Sequence, residues 1–241
     1  DLPIASWTGR WWNRRDRAWN AWSKSFTALA AQQWGIPHPT TVAFEPLAEK
    51  TDPQSQYVSA AERAKAIWNL LSAQGAVVVK PDRGMEGRGI VLAQSADEMQ
   101  AAMASLRFGV AQEYIPEAAS TLRVVCTRNG VFASCERVAQ ASDWRANYAQ
   151  GATIKRHPVK TDDEIGALAR ESVRALNLDM AGVDIIRTST GLMVLEVNPA
   201  FGWPPVLADM YPDGLDKLVG ALGLPSCSCG DELPHDASTC A

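Results

Sequence analysis

GVDIIRTSTGLMVLEVN, residues 182–198, decides how this chain is read. Two apolar runs flank a polar turn that ends in Gly191, the pattern of a β-hairpin. A three-residue loop would set Thr188 opposite Leu192 and Asp184 opposite Glu196. Side chains alternate faces along a strand. Asp184, Glu196 and Asn198 then share one face, and Val183, Ile185, Leu195 and Val197 share the apolar other one. Two carboxylates and an amide beside a buried layer are costly unless a cation compensates. Hard oxygen donors of this kind suit Mg²⁺ with substrate phosphates. The segment alone is equally compatible with an ordinary hairpin carrying two solvated acids.

Upstream, AVVVK (76–80) delivers Lys80 into PDRGMEGRGI, where Gly84, Gly87 and Gly89 lie close together. Glycines let backbone amides approach an anion, and a lysine at the strand end adds a point charge. The Walker phosphate loop needs Gly-Lys-Ser/Thr and a following helix, whereas a second strand follows here, so the loop reads as a flap. In AQEYIP (111–116), the Gln112–Glu113–Tyr114 stretch could meet a purine edge through backbone groups at Glu113 to Ile115. Arg123 lies on the next strand, and Arg145 and Asn147 lie in the loop DWRANYAQGA (143–152). Arginines near a Mg²⁺ site can stabilise a phosphoryl group in transfer. Taken singly, the glycine loop reads equally well as a hairpin tip, and the plainer readings of the AQEYIP stretch and of each arginine are a buried strand and a surface or ion-pair residue.

The chain has 241 residues, 46% hydrophobic and 21% charged, with a formal net charge of −4. This is a globular composition, and the charge argues against a dedicated nucleic-acid binder. No apolar run reaches membrane-span length, and no signal peptide opens the chain. It starts with Asp rather than Met, which reads as a fragment or a processed product. Five cysteines are not a disulfide scaffold, so a cytoplasmic setting is expected. Cys227, Cys229, His235 and Cys240 could ligate zinc, but a tail of free thiols is the plainer reading.

Trp12, Trp19 and Trp22 fall on one face of an expected N-terminal helix whose aromatic stripe docks on the body. GIPHPTT (35–41) reads as a loop, with a strand through Val42 and Phe44. Capping boxes are expected at Ser59/Glu62, Ser95/Glu98 and Thr161/Glu164. Strands are expected at 76–80, 89–93, 109–115, 121–127 and 131–139, the last two joined by an Asn-Gly turn. A final helix is expected over about 205–222, ending at Gly223 and Pro225. The class is α+β with mainly antiparallel strands.

In order, Lys24 before GIPHPTT, KPDRGMEGRG, QEYI, the arginine strand, DWRAN, GVDI and LEVN resemble the ATP-grasp superfamily, and within it the RimK-type α-L-glutamate ligases, over roughly residues 20–222. The resemblance implies two α+β subdomains clasping ATP. Their expected spans are 42–115 with the flap and 116–225 with the metal site, after a Trp/Arg-rich segment (1–41) and before a Cys-rich tail (226–241). It implies that Lys80 and Lys24 hold phosphates beneath Gly84, Gly87 and Gly89, and that Gln112, Glu113 and Tyr114 meet the adenine. Asp184, Glu196 and Asn198 would hold two Mg²⁺ ions (or Mn²⁺), and Arg123, Arg145 and Asn147 would face the γ-phosphate and an acyl phosphate. The implied reaction is ATP-dependent ligation of a carboxylate to an amine, such as glutamate. A small-molecule kinase, or a truncated nucleotide-binding module working with a partner, are the alternatives. A partner chain or second copy would meet the Trp-rich front segment. The chain departs from the family in three ways. Only 23 residues stand before Lys24, so the domain that usually precedes it is expected to be absent or reduced; Thr121 stands where an acid meets the ribose, and PAFGWPP follows LEVN. Trp203 there either packs or reshapes the amine pocket.

Overall fold

The computed structural model describes residues 12–45, 59–84, 87–140, 144–146 and 151–223. Asn147 and the tail residues Cys227, Cys229, His235 and Cys240 lie outside the described residues. Two short helices, α1 (Arg15–Ala21) and α2 (Lys24–Trp34), lead into β1 (Thr41–Phe44), α3 (Ala60–Leu71), β2 (Val77–Pro81), β3 (Val91–Ala93), α4 (Ala96–Ala104) and β4 (Gly109–Glu113). These strands form an antiparallel sheet in the order β1-β4-β2-β3. A 3-10 turn, Pro116–Ala119, leads into β5 (Ser120–Thr127), β6 (Val131–Val138), β7 (Thr153–Arg156), α5 (Glu164–Ala175), β8 (Met180–Thr188) and β9 (Gly191–Asn198). The second sheet runs β7-β6-β5-β8-β9, again antiparallel. Helices α6 (Pro205–Met210) and α7 (Gly214–Ala221) follow.

Alternation of side chains divides each sheet into a core face and a site face. In β2 and β4, Val77, Val79 and Ala111 pack with α3 and α4 residues such as Ile67, Leu71 and Met99. Val78, Lys80 and Gln112 point the other way and line a cavity. In the second sheet Leu122, Val124, Val183, Ile185 and Val197 pack on α5 through Ala169 and Val173. The opposite face is shared: Val125, Ala133 and Cys135 are covered by Leu207, Leu218 and Leu222 of the C-terminal helices. Beyond that cover, Thr121, Arg123, Arg137 and Asp184 are left for the cavity. Helix α2 touches β1, β4 and β9 and so ties the two sheets together.

Several elements differ from the sequence expectation. The β8–β9 turn has two residues, Ser189 and Thr190, because Thr188 pairs with Gly191. A bulge at Leu195 then restores the Asp184–Glu196 pairing. The bulge also moves Leu195 off the apolar face: it lines the cavity, and Val194, 1% exposed, takes the core position. The Ser59 box forms as expected. Ser95 caps α4, but Glu98 accepts from Gln94 N rather than closing the box. The cap of α5 is Asp163, which accepts from Gly166 N, and Thr161 Oγ1 instead accepts from Val131 N. The C-terminal helix breaks at Tyr211–Pro212, since proline cannot continue it. Strand β7 was not foreseen. Helix α1 is short, and Trp19 and Trp22 stay exposed, stacked edge-on at 6.3 Å with Arg83 4.3 Å above Trp19. Trp12 lies before the helix and packs against the α6–α7 cluster. Asn13 (φ 55) fixes this entry by donating to Met180 O and Pro199 O and accepting from Asp179 N. Trp203 packs, with its ring 3.0 Å from where a Gly214 Cβ would stand.

Candidate active site

A cavity of about 340 Å³ opens between the two sheets. From the first sheet it takes Lys80, 9% exposed, whose Nζ donates to Gln112 Oε1 at 2.6 Å. Gln112 in turn donates to Thr41 Oγ1. Burial pushes the Lys80 pKa down to about 8; the Glu196 charge opposes this and the Lys24 charge adds to it. His38, also in the wall, is held to about 4, chiefly by burial, so it is neutral at physiological pH. Lys24 Nζ donates to Gly84 O at 3.1 Å and stands 3.8 Å from Glu196 Oε1. The root of the glycine loop is anchored on α2, where Asp82 accepts from Ser23 Oγ, Ser25 N and Ser25 Oγ. Gly87 and Gly89 have φ of 71° and 69°, a region that L side chains rarely adopt. Arg145 Nη1 donates to Gly87 O at 3.1 Å, linking the β6–β7 loop to the glycine loop.

The second sheet supplies the charged floor. Arg123 forks onto Asp184, Nε to Oδ1 at 2.5 Å and Nη2 to Oδ2 at 2.9 Å. Arg137 Nη2 also donates to Asp184 Oδ1. Burial alone would raise the Asp184 pKa; the charges and hydrogen bonds of Arg123 and Arg137 outweigh it and hold the carboxyl below its ordinary value. Gly182 makes this arrangement possible. A Cβ there would stand 2.7 Å from Arg123 Nη1 and 2.8 Å from Phe201 Cβ, so only glycine lets the arginine cross β8.

Of the residues picked out in the sequence, Lys24, Lys80, Gly84, Gly87, Gln112, Glu113, Tyr114, Thr121, Arg123, Arg145, Asp184, Glu196 and Asn198 come together around this one cavity. Gly89 is not in its wall; it packs against Pro81 behind the loop. The Glu113 carboxylate is engaged with Thr40 N at 2.7 Å, and the Thr121 hydroxyl donates to Ala118 O. Tyr114 meets Trp144 edge-on at 6.0 Å. Sequence reasoning missed Arg137, Leu195, His38 and Trp144. Arg137 enters the site through the β5–β6 register, which sets it opposite Thr121.

Asp184 and Glu196 are directly paired across β8–β9, with Asn198 two residues further along the same face. The Asn198 amide nitrogen is buried without a hydrogen-bond partner among the described residues. A half-turn of that amide would present its oxygen at the same spot. Among the described residues no three His, Cys, Asp or Glu side chains gather at one point. A metal here would therefore rest on two carboxylates, an amide and substrate oxygens. That hard donor set fits Mg²⁺.

Two facing antiparallel sheets with a cationic, glycine-bordered cavity between them define the ATP-grasp class of fold. Residues 40–208 match the RimK-like ATP-grasp domain, and the chain belongs to that family. A protein of Histophilus somni (strain 2336) named "Probable alpha-L-glutamate ligase" is 31% identical over 138 residues, covering 55% of this chain and 46% of its own length. The chain thus spans about half the length of that curated relative. Among solved structures, D-cycloserine synthetase DcsG superposes with a TM-score of 0.65 at 17% identity, over 84% of this chain and 69% of that one. D-alanine–D-alanine ligase from Bacillus anthracis, complexed with ATP, gives 0.61 at 14% identity, over 87% and 67%. At these identities both show the fold alone. Among the described residues no helix is long and apolar enough to cross a membrane.

Proposed function

We propose that this chain carries the nucleotide-binding and phosphoryl-transfer machinery of an ATP-dependent carboxylate–amine ligase. One observation carries the reading. Lys80 from one sheet, Arg123, Asp184, Glu196 and Asn198 from the other, and Lys24 with the glycine loop between them all border a single cavity. In the reaction, an acceptor carboxylate oxygen takes the γ-phosphoryl group of ATP, releasing ADP. The amine nitrogen then attacks the acyl carbon, the bond to phosphate breaks, and the amine gives up a proton. Lys80 and Lys24 hold phosphate oxygens, the glycine loop covers them, and Arg123 and Arg145 meet charge developing on the transferring group, a role the family resemblance also gives to Asn147. Gln112, Glu113 and Tyr114 border the base, and Thr121 the ribose. Asp184, Glu196 and Asn198 would hold two Mg²⁺ ions, which Mn²⁺ can replace; bound there, they supply charge neutralisation at the phosphates. The name of the Histophilus somni relative supports an amino acid such as glutamate as the amine.

This reading divides the chain into clasping units 42–115 and 116–225, one for each sheet. Exposed Trp19, Trp22 and Phe26 support a contact with a second copy or a partner chain. The buried free thiols Cys126 and Cys135 support a cytoplasmic setting.

ADP release with Mg²⁺, measured across a panel of carboxylates and amines, tests the reading. Turnover is expected to need both substrates and to vanish in Glu196→Ala. A stable phosphorylated product formed without any amine would instead identify a kinase.

A further inference from the structure

Asp184 stands at the centre of the charged floor, yet its oxygens are already engaged. An ionised carboxylate offers about four acceptor positions, and three are filled by Arg123 Nε, Arg123 Nη2 and Arg137 Nη2. The two arginines are not held alike. Arg123 grips both oxygens and lies close over Gly182. Arg137 touches one oxygen through one terminal nitrogen, and that oxygen already accepts from Arg123. Arg137 is 9% exposed, lines the cavity, and its Nε is buried with no hydrogen-bond partner among the described residues. A buried guanidinium with an unmet donor is costly. Such a donor is a ready seat for an oxyanion.

Resting on the ligase reading, we propose that Arg137 is an exchange residue: a divalent cation on Asp184 displaces its guanidinium, which then binds an oxyanion of the substrates. The cation competes first at the crowded Oδ1, and the contact that yields is the single one. Like charge then drives Arg137 away from the cation and towards a phosphate or carboxylate oxygen. The divalent ion and the anion therefore bind cooperatively, by the reciprocity that governs any two coupled sites. Metal loading thereby readies the site for its anionic substrates.

Mn²⁺ binding to the full chain, followed by the electron paramagnetic resonance of the free ion without nucleotide, tests this. Sulfate stands in for phosphate and glutamate for a substrate carboxylate, in separate titrations. At least one is expected to tighten Mn²⁺ about five-fold or more in the wild type, the lower end of usual allosteric couplings. The anion that does so names the source of the oxyanion. The coupling should disappear in Arg137→Gln. Coupling that survives in Arg137→Gln, or Mn²⁺ binding that neither anion affects, overturns the exchange. A second measurement needs no variant. The NMR signal of Arg137 Nε–Hε in the wild type should move on adding Mg²⁺ and again on adding the anion, and a signal that stays still overturns the exchange as well. If the wild type binds neither Mn²⁺ nor Mn²⁺ with a non-hydrolysable ATP analogue, the ligase reading falls together with this one. Analogue binding without ion–anion coupling sinks the exchange alone.

Discussion

At the scale of single residues, charge in this cavity is set by burial and then corrected by neighbours. Lys80 shows this best. Burial pulls its pKa down to about 8, against an ordinary value of 10.5. A polyphosphate placed beside it favours the charged form and raises that pKa again. Between about pH 8 and the raised value, the complex holds one proton more than the free chain, so nucleotide binding takes up a proton there. Calorimetry at pH 8.5–9 in buffers of different ionisation enthalpy should find uptake approaching one proton for the wild type. Lys80→Arg, always charged, should abolish it while the protein still binds. Equal uptake in the two proteins would place the phosphates elsewhere. Lys80, Asp184 and Glu196 could be picked out in the sequence because each stands in a local pattern of strand alternation or glycine spacing, whereas Arg123 stood out only through the family resemblance. Arg137 could not be picked out locally. Its meaning depends on a cross-strand register that carries it to Asp184, two strands away.

Among the elements, the sequence was clearest where one local rule acted alone and weakest where several candidates competed. The Ser59 box had no rival and forms as read. The start of α5 reads Thr161-Asp162-Asp163-Glu164, and all of these residues can sit at a helix start. Asp163 wins because its carboxylate serves two amides, Gly166 N at 2.8 Å and Lys160 N at 2.9 Å, while Thr161 is drawn away to Val131 N. Asp163→Ala should therefore cost about 1–2 kcal/mol, or roughly 2–8 °C in Tm for a chain of this size. Thermal unfolding checks this, and a change under 1 °C would show the cap to be idle. The β8–β9 hairpin teaches a different lesson. Its turn is one residue shorter than expected and its strand carries one residue more, so the two departures cancel at Asp184–Glu196. The unbroken apolar run LMVL hides a bulge, because leucine at 195 and valine at 194 suit either face equally. The helix expected over 205–222 ran through the break before α7, although Pro212 cannot continue a helix and pushes Tyr211 out of the helical region (φ −137, ψ 71).

For the whole molecule, the two sheets each own a core, and the contacts that cross the cavity among the described residues are polar or aromatic. Lys24–Gly84, Lys24–Glu196, Arg145–Gly87 and the Tyr114–Trp144 ring pair span the gap. Part-exposed polar contacts of this sort contribute little each, so the sheets are expected to part more readily than either unfolds. On the proposed reading, a nucleotide would touch Lys80 on one side and Arg123 on the other and add cohesion between the sheets. By mass action, ligand at about 100 times its Kd stabilises the folded state by about 2.7 kcal/mol, or roughly 5–10 °C in Tm at this chain length. The location of the gain is more diagnostic than its size. Hydrogen exchange with Mg²⁺ and a non-hydrolysable ATP analogue should slow in Val77–Pro81 of the first sheet and in Met180–Thr188 of the second together. Glu196→Ala should lose most of the protection in the second sheet and keep part of it in the first, where Lys80 still meets the phosphates. Protection confined to one sheet in the wild type would mean that the ligand sits on a face and is not clasped, and the division of labour between the two sheets would have to be abandoned.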